Sequence, residues 1–437
     1  MARILTSPVA TGAPGIEPRW TRSAKDTVCT AYSSVSRLWF TTSAGVLNEI
    51  YFPTIDQPQI RDLQFLITDG ESFFHDERHL DSTTEYLDGT GLAVRIASHA
   101  PDGSYHIYKE VITDPHQPTL LINTRLEGDA ALLRKLHLYV LLAPHLGVGG
   151  WGNNGYLAKI VGHEFLTANK NGVWLALGAT TPFLRTSCGY VGHTDGWQDI
   201  SANFKMDYQF AAALDGNIAL TAEIDLRKGY SFTLGMGFGR ELNRAVTTLY
   251  QSLAEPFAMH RSRFLEQWER AMHHIAPLDK FSGDGGVLYH RSTELLLAHE
   301  DKTYPGALIA SLSIPWGEAK SDDDLGGYHL VWTRDMVNSV TGLAAAGDVS
   351  TALRALIYLA CAQRPDGGFP QNFWIDGQPY WNGVQLDEVS FPITLAWRLH
   401  KYSALRDFDP YPMVLRAAYF LIKEGSATPQ ERWEENA

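Results

Sequence analysis

Phe232-Thr233-Leu234-Gly235-Met236-Gly237-Phe238-Gly239-Arg240-Glu241-Leu242 is the stretch at which the chain changes its repeat. Up to Gly239 the large apolar residues fall on every second position, the period of a strand. Beyond Glu241 they recur at Leu249, Leu253, Phe257, Phe264, Trp268 and Met272, one face of a helix. This junction predicts a β domain over residues 1–240, a helical linker over 241–285 and a helical domain over 286–437.

Upstream, short alternating runs recur at Asp62–Ile67, Leu92–Ile96, Ser104–Ile112, Thr119–Thr124, Lys135–Leu142 and Gly172–Gly178. Asp69-Gly70, Asp88-Gly89, Asp102-Gly103, Asn171-Gly172 and Asp215-Gly216 punctuate them. Period-two runs broken by Asp-Gly and Asn-Gly are the pattern of antiparallel hairpins. So many strands without intervening helices imply a large two-sheet structure.

Downstream, five helices are predicted: Val287–Glu300, Thr333–Ala346, Val349–Gln363, Asp387–Tyr402 and Pro412–Glu424. Asp348 and Asp409 are cap or near-cap candidates, and Gly347 and Gly425 are stop candidates. The third helix is apolar on more than one side, which suits a layered helical barrel rather than a lone surface helix. Long loops follow the first, third and fifth helices, and the connections between them are short. In a row of antiparallel hairpins alternate connections share an end, so the long loops are expected on one rim, where a site belongs.

The 437 residues carry a formal net charge of -13, which argues against nucleic acid as a partner. With 45% hydrophobic residues the chain can bury sizeable cores. Cys29, Cys188 and Cys361 are far apart and odd in number, so each is expected to be a buried small hydrophobe rather than half of a disulfide or a zinc ligand. The start of the chain has no apolar stretch of signal-peptide type, and no stretch approaches a membrane span. The expectation is a soluble, cytoplasmic protein with no membrane partner.

Each rim loop carries sugar-binding chemistry with a plainer alternative. Arg334-Asp335 at a helix start offers a donor fork beside an acceptor, as neighbouring sugar hydroxyls require. Alternatively, Asp335 stabilises its helix start and Arg334 pairs locally. The next loop interleaves Gln371, Trp374, Tyr380, Trp381, Asn382, Gln385 and Asp387. The last, Glu431-Arg432-Trp433-Glu434-Glu435, crowds three carboxylates beside an indole, which raises a carboxyl pKa as a general acid needs. Its alternative is a solvated acidic turn. Asp322-Asp323-Asp324 could ligate calcium, against a solvated acidic loop as the weightier reading. Apart from that, no cofactor is expected.

Ile309-Ala310-Ser311-Leu312-Ser313-Ile314-Pro315-Trp316-Gly317, Gly326–Asp335 and Thr428–Asn436 resemble glycoside hydrolase family 15, in its bacterial glucoamylase and glucodextranase type. Gly45–Pro53 and Arg61–Gly70 resemble the β-supersandwich that precedes the barrel in bacterial members. The resemblance implies a β-supersandwich followed by an (α/α)6 barrel, and hydrolysis of terminal α-linked glucose with inversion. It implies Glu434 as general acid, with Glu435 and Glu431 beside it and Trp433 in the same motif. It also implies that Trp332, Arg334 and Asp335 hold the terminal glucose, with Tyr328 alongside and Trp381 flanking the scissile bond. The implied barrel has twelve helices and a base on a downstream loop, whereas about five helices are predicted here. The expectation is therefore a partial barrel in a truncated or split chain, inactive alone. Its partners would be an α-glucan or oligosaccharide, and either a second copy or a missing half. The competing expectation is a non-catalytic carbohydrate-binding or assembly protein of the same fold.

Overall fold

The computed structural model of the protein describes residues 2–21, 23–87, 89–312 and 325–425. The chain divides into two compact units: Met1–Pro53, Gln57–Trp268 and Ile314–Leu325 form one, and Thr54–Asp56, Glu269–Ser313 and Gly326–Ala437 the other.

The first unit is an antiparallel β-sandwich. One sheet runs, in pairing order, Arg3–Leu5, Asn153–Ile160, His163–Lys170, Val173–Ala179, Ser231–Gly239, Thr119–Gly128, Tyr105–Thr113, Val94–His99 and Asp81–Tyr86. The other runs Phe183–Tyr190, Ile218–Ile224, His137–Pro144, Ile60–Thr68, Val46–Tyr51, Trp39–Ser43 and Thr27–Cys29. The Asp102-Gly103 pair forms the turn between Val94–His99 and Tyr105–Thr113, with Gly103 at φ 71°. Several strands of the second sheet are buried along their whole length, Trp39–Ser43, Val46–Tyr51 and Ile218–Ile224 among them. Ile218–Ile224 is a strand that the sequence reading did not name, although Ile218, Leu220, Ala222 and Ile224 alternate with Thr221 and Glu223.

The predicted single helical run over 242–275 is two helices, Leu242–Leu253 and Phe257–Met272. Pro256 lacks the amide that a continuous helix would use and disfavours helical geometry in the residue before it. The Leu242–Leu253 helix lies on the strand of the opening quotation. Gly235, Gly237 and Gly239 face it, and a Cβ on Gly237 would stand 2.4 Å from the carbonyl oxygen of Ala245. The alternating glycines thus let helix backbone approach strand backbone. Cys29 and Cys188 are buried as expected, but Cys361 is exposed on the outer side of its helix.

In the second unit the five predicted helices are Val287–Ala298, Thr333–Ala345, Val349–Ala362, Leu386–Lys401 and Tyr411–Glu424. The Asp348 carboxylate accepts from the Thr351 amide at 3.1 Å and caps the third helix. Asp409 accepts from the Tyr411 amide at 3.0 Å at the start of the fifth. Gly347 and Gly425 take positive φ, 102° and 81°, where the second and fifth helices end. On the fifth helix Tyr411, Leu415, Tyr419 and Ile422 recur at helical spacing and are all more than half exposed. Among the described residues no helix is long and apolar enough to cross a membrane.

Two outcomes follow. Gly237→Ala should destabilise the β unit by about 1–3 kcal/mol, because the intruding methyl meets backbone that cannot swing aside; urea unfolding followed by tryptophan fluorescence measures it. The apolar stripe on the fifth helix should drive self-association of the purified 437-residue chain at low micromolar concentration. Light scattering that returned a monodisperse monomer would show the stripe to be covered.

Candidate active site

The site is built where the second and fourth helices of the helical unit begin. Main-chain pairing sets its frame. Val331 and Phe373 exchange hydrogen bonds of 2.9 and 3.1 Å. Asn372–Phe373 pairs with Pro379–Trp381, and the Asn372 side chain accepts from the Trp381 amide at 2.9 Å. Trp332 and Trp381 extend from this ladder and meet edge to face, centroids 5.8 Å apart at 89°. Tyr380 packs beside Trp381 at 5.6 Å, and its hydroxyl accepts from the Gly326 amide at 2.8 Å. Edge-to-face packing follows from the ring quadrupole.

Beside the indoles, one cation faces three carboxylates. Arg334 Nη1 donates to Asp387 Oδ2 at 2.6 Å. The Arg334 main-chain amide donates to Glu388 Oε2 at 2.6 Å, and Nη1 stands 3.8 Å from Glu388 Oε1. Asp335 Oδ2 lies 3.9 Å from Arg334 Nε. The Glu388 side chain is fully buried, whereas that of Asp335 is 44% exposed and open to a ligand. Burial pushes the Glu388 carboxyl up to about 8, with the amide bond and the Arg334 cation opposing. Burial also raises Asp335, against the pull of Arg334. Trp332 Nε1 is buried with no hydrogen-bond partner among the described residues.

A second layer holds the loops behind the site. His329 Nδ1 donates to the Asp56 carbonyl at 2.9 Å. The Asp56 carboxylate accepts from the Ile375 amide at 3.0 Å and from the Thr54 hydroxyl at 2.6 Å. Asp301 accepts from the Ile55 amide at 2.9 Å. Burial raises Asp56 to about 6.

Of the residues singled out from the sequence, Trp332, Arg334, Asp335 and Trp381 therefore cluster, and Asp387 joins them. Tyr328 stands in the same loop, 45% exposed, its carbonyl accepting from the Ser311 amide at 2.7 Å. Glu431, Trp433, Glu434 and Glu435 lie outside the described residues, as do Asp322-Asp323-Asp324. Among the described residues no group of three or more His, Cys, Asp or Glu is arranged to hold a metal ion. Sequence reasoning missed Glu388 and Asp56. Glu388 follows Asp387 and reads as one more acid in a first helical turn, where acids are ordinary. Asp56 lies almost three hundred residues from its partners.

A sandwich followed by helical hairpins, with crossed indoles and a multiply bonded arginine at two helix starts, defines a carbohydrate-active class. Comparison with known proteins makes it specific. Residues 10–272 match glucodextranase, domain N, and residues 284–437 match the glycosyl hydrolases family 15. Over those segments the chain belongs to the glucodextranase domain N family and to glycosyl hydrolase family 15, and it is similar to bacterial glucoamylases. A glucoamylase from Clostridium sp. (strain G0005) is 38% identical over 428 residues, 98% of this chain and 60% of that protein. The crystal structure of a bacterial glucoamylase complexed with acarbose has 36% identity and a TM-score of 0.93, covering 99% of this chain and 64% of that one. The chain thus spans about three fifths of the length of the curated relative it matches.

The buried Asp56 yields a pH test. Its folded pKa is raised above the unfolded value, so it contributes stability below about pH 4 that is lost as pH rises through about 6. Asp56→Asn cannot ionise and should escape that loss. The difference in unfolding midpoint between variant and wild type should move in the variant's favour from about pH 4 to about 6 and then level off; a constant offset would refute it.

Proposed function

We propose that this chain carries the terminal-glucose subsite of an inverting, exo-acting α-glucan hydrolase built on part of an (α/α)6 barrel. One observation carries the proposal: Arg334 and Asp335 leave the helix start beside Trp332 and Trp381, so a charged donor and acceptor sit against two crossed indoles. A sugar presents both kinds of surface, an apolar face for an indole and a rim of hydroxyls that each give and take hydrogen bonds. The partly exposed Asp335 accepts from a hydroxyl, the guanidinium donates, and Trp332 Nε1 is a further donor. That a relative 36% identical to this chain is complexed with acarbose supports an oligosaccharide as the ligand.

In this reading Glu434 is the general acid that protonates the leaving glycosidic oxygen. Glu431, Trp433 and Glu435 stand beside it in the same motif, and neighbouring like charge and an apolar ring are what keep a general acid protonated. Tyr328 and Trp381 line the sugar's path. Inversion requires a second carboxylate about 6.5–9.5 Å from the acid, with room for the attacking water. Asp387 is committed to Arg334 and Asp335 is given to the sugar, so neither is assigned that role.

Calorimetry with acarbose and maltose tests the binding half, and the anomer released from maltose, isomaltose, trehalose or dextrin, read by NMR, tests the chemistry. Arg334→Ala should weaken acarbose binding at least tenfold, for loss of a charged hydrogen bond worth about 1.5–3 kcal/mol. Glu434→Gln should bind acarbose and lower any turnover by about 10²–10⁴. Release of α-glucose would refute inversion. Binding without turnover would favour the alternative, a carbohydrate-binding chain of the same fold.

A further inference from the structure

The Thr333–Ala345 helix begins without a cap of its own. Trp332 holds the N-cap position and makes no side-chain cap hydrogen bond. The first amides of a helix have no partner within it, and here Glu388 reaches across from the Leu386–Lys401 helix to take the Arg334 amide. Its neighbour Asp387 takes the guanidinium. Two successive residues of one helix therefore hold both ends of Arg334, its main chain and its side chain. Glu388 does so from full burial, and its other oxygen, Oε1, has no hydrogen-bond partner among the described residues.

We propose that Glu388 is a positioning residue of the terminal-glucose subsite: it fixes the direction in which Trp332, Arg334 and Asp335 leave their helix start, and so sets sugar affinity without touching the sugar. This rests on the subsite reading above. A local Asp or Ser cap would fix only its own helix. A carboxyl from the neighbouring helix locks the two helix starts together, along with the two loops that precede them.

The arrangement also carries a pH response. The charged groups facing Glu388 are Arg334 and Asp335 from the second helix and Asp387 from its own. With its proton held up to about 8, Glu388 is neutral at pH 7 and its carbonyl oxygen still accepts from the amide. Ionised, Oε1 becomes a full competitor for Nη1, now 3.8 Å away, and draws the guanidinium inward from Asp387 and from the sugar. Affinity should therefore fall as pH rises through about 8.

Acarbose binding to the 437-residue chain, measured by calorimetry from pH 6 to pH 9 beside thermal unfolding, tests this. Glu388→Ala should weaken binding about tenfold, the scale of a lost helix cap. Glu388→Gln, which keeps an accepting oxygen but cannot ionise, should restore most of that affinity and abolish the decline above pH 8. If Glu388→Ala does not fold, the Glu388→Gln pH profile decides alone: an unchanged alkaline decline overturns the proposal. Acarbose binding that is sensitive to Arg334→Ala but not to Glu388→Ala overturns this proposal and leaves the subsite standing. Binding that Arg334→Ala leaves untouched overturns both.

Discussion

The candidate site depends on one imbalance of charge: a single guanidinium among three carboxylates, one of them buried outright. Three ionised acids around one cation would repel one another, and the buried one has no water to offset the cost. The cluster resolves the conflict by function. Asp387 accepts the short bond from Nη1. Glu388 holds its proton and serves as an acceptor for main chain. Asp335, the most exposed of the three, is left to face a ligand. Pairing one cation with graded burial turns three chemically similar residues into an anchor, a cap and an exposed acceptor.

The β unit meets the cost of buried charge differently. Lys109 is fully buried and pairs with Glu77, and it also donates to the Gly45 carbonyl at 2.7 Å. Glu77 accepts from the Phe65 amide at 2.8 Å through its other oxygen. Every strong partner there is protein, and each ion is surrounded on both sides, which is the condition for a buried pair to hold. The Lys109–Glu77 pair is closed by protein on both sides, whereas the Arg334 cluster keeps one carboxylate, Asp335, 44% exposed. A closed network suits a scaffold, and one with an exposed acceptor suits a place where a ligand binds.

How much of this was legible in the sequence follows from how local each signal is. Asp348 caps a helix three residues away, and Gly425 ends one at its own position, so both could be read without a fold. The glycine alternation at Gly235, Gly237 and Gly239 was legible as a strand but not as a bed for the following helix, because only the packing partner gives the missing side chains a meaning. Ile218–Ile224 was legible, since Ile218, Leu220, Ala222 and Ile224 alternate with Thr221 and Glu223, but it was not singled out. Arg334 and Asp335 stood out as an adjacent donor and acceptor, Trp381 as part of a loop rich in aromatics and amides, and Trp332 through the family resemblance. Glu388 was not, since its role is defined by an amide 54 residues away. The family resemblance named sugar-facing groups and was silent about what holds them.

What holds them is chiefly backbone. Trp332 follows a residue bridged to Phe373, and Trp381 ends a strand paired with Asn372, so the two indoles are placed by a short main-chain ladder rather than by their own packing. Behind that ladder the three-residue segment Thr54–Asp56 ties both loops together. Its carbonyl holds His329, three residues before Trp332, and its carboxylate holds the Ile375 amide in the turn between the paired strands. One buried aspartate thus restrains both loops that carry the indoles, at the cost of a carboxyl that resists ionisation. A subsite that must present a guanidinium within hydrogen-bond tolerance gains from such restraint, because a misplacement of about 1 Å is enough to cost roughly a hundredfold in rate. Side chains that touch sugar can be few when the main chain beneath them is fixed from behind by groups that never do.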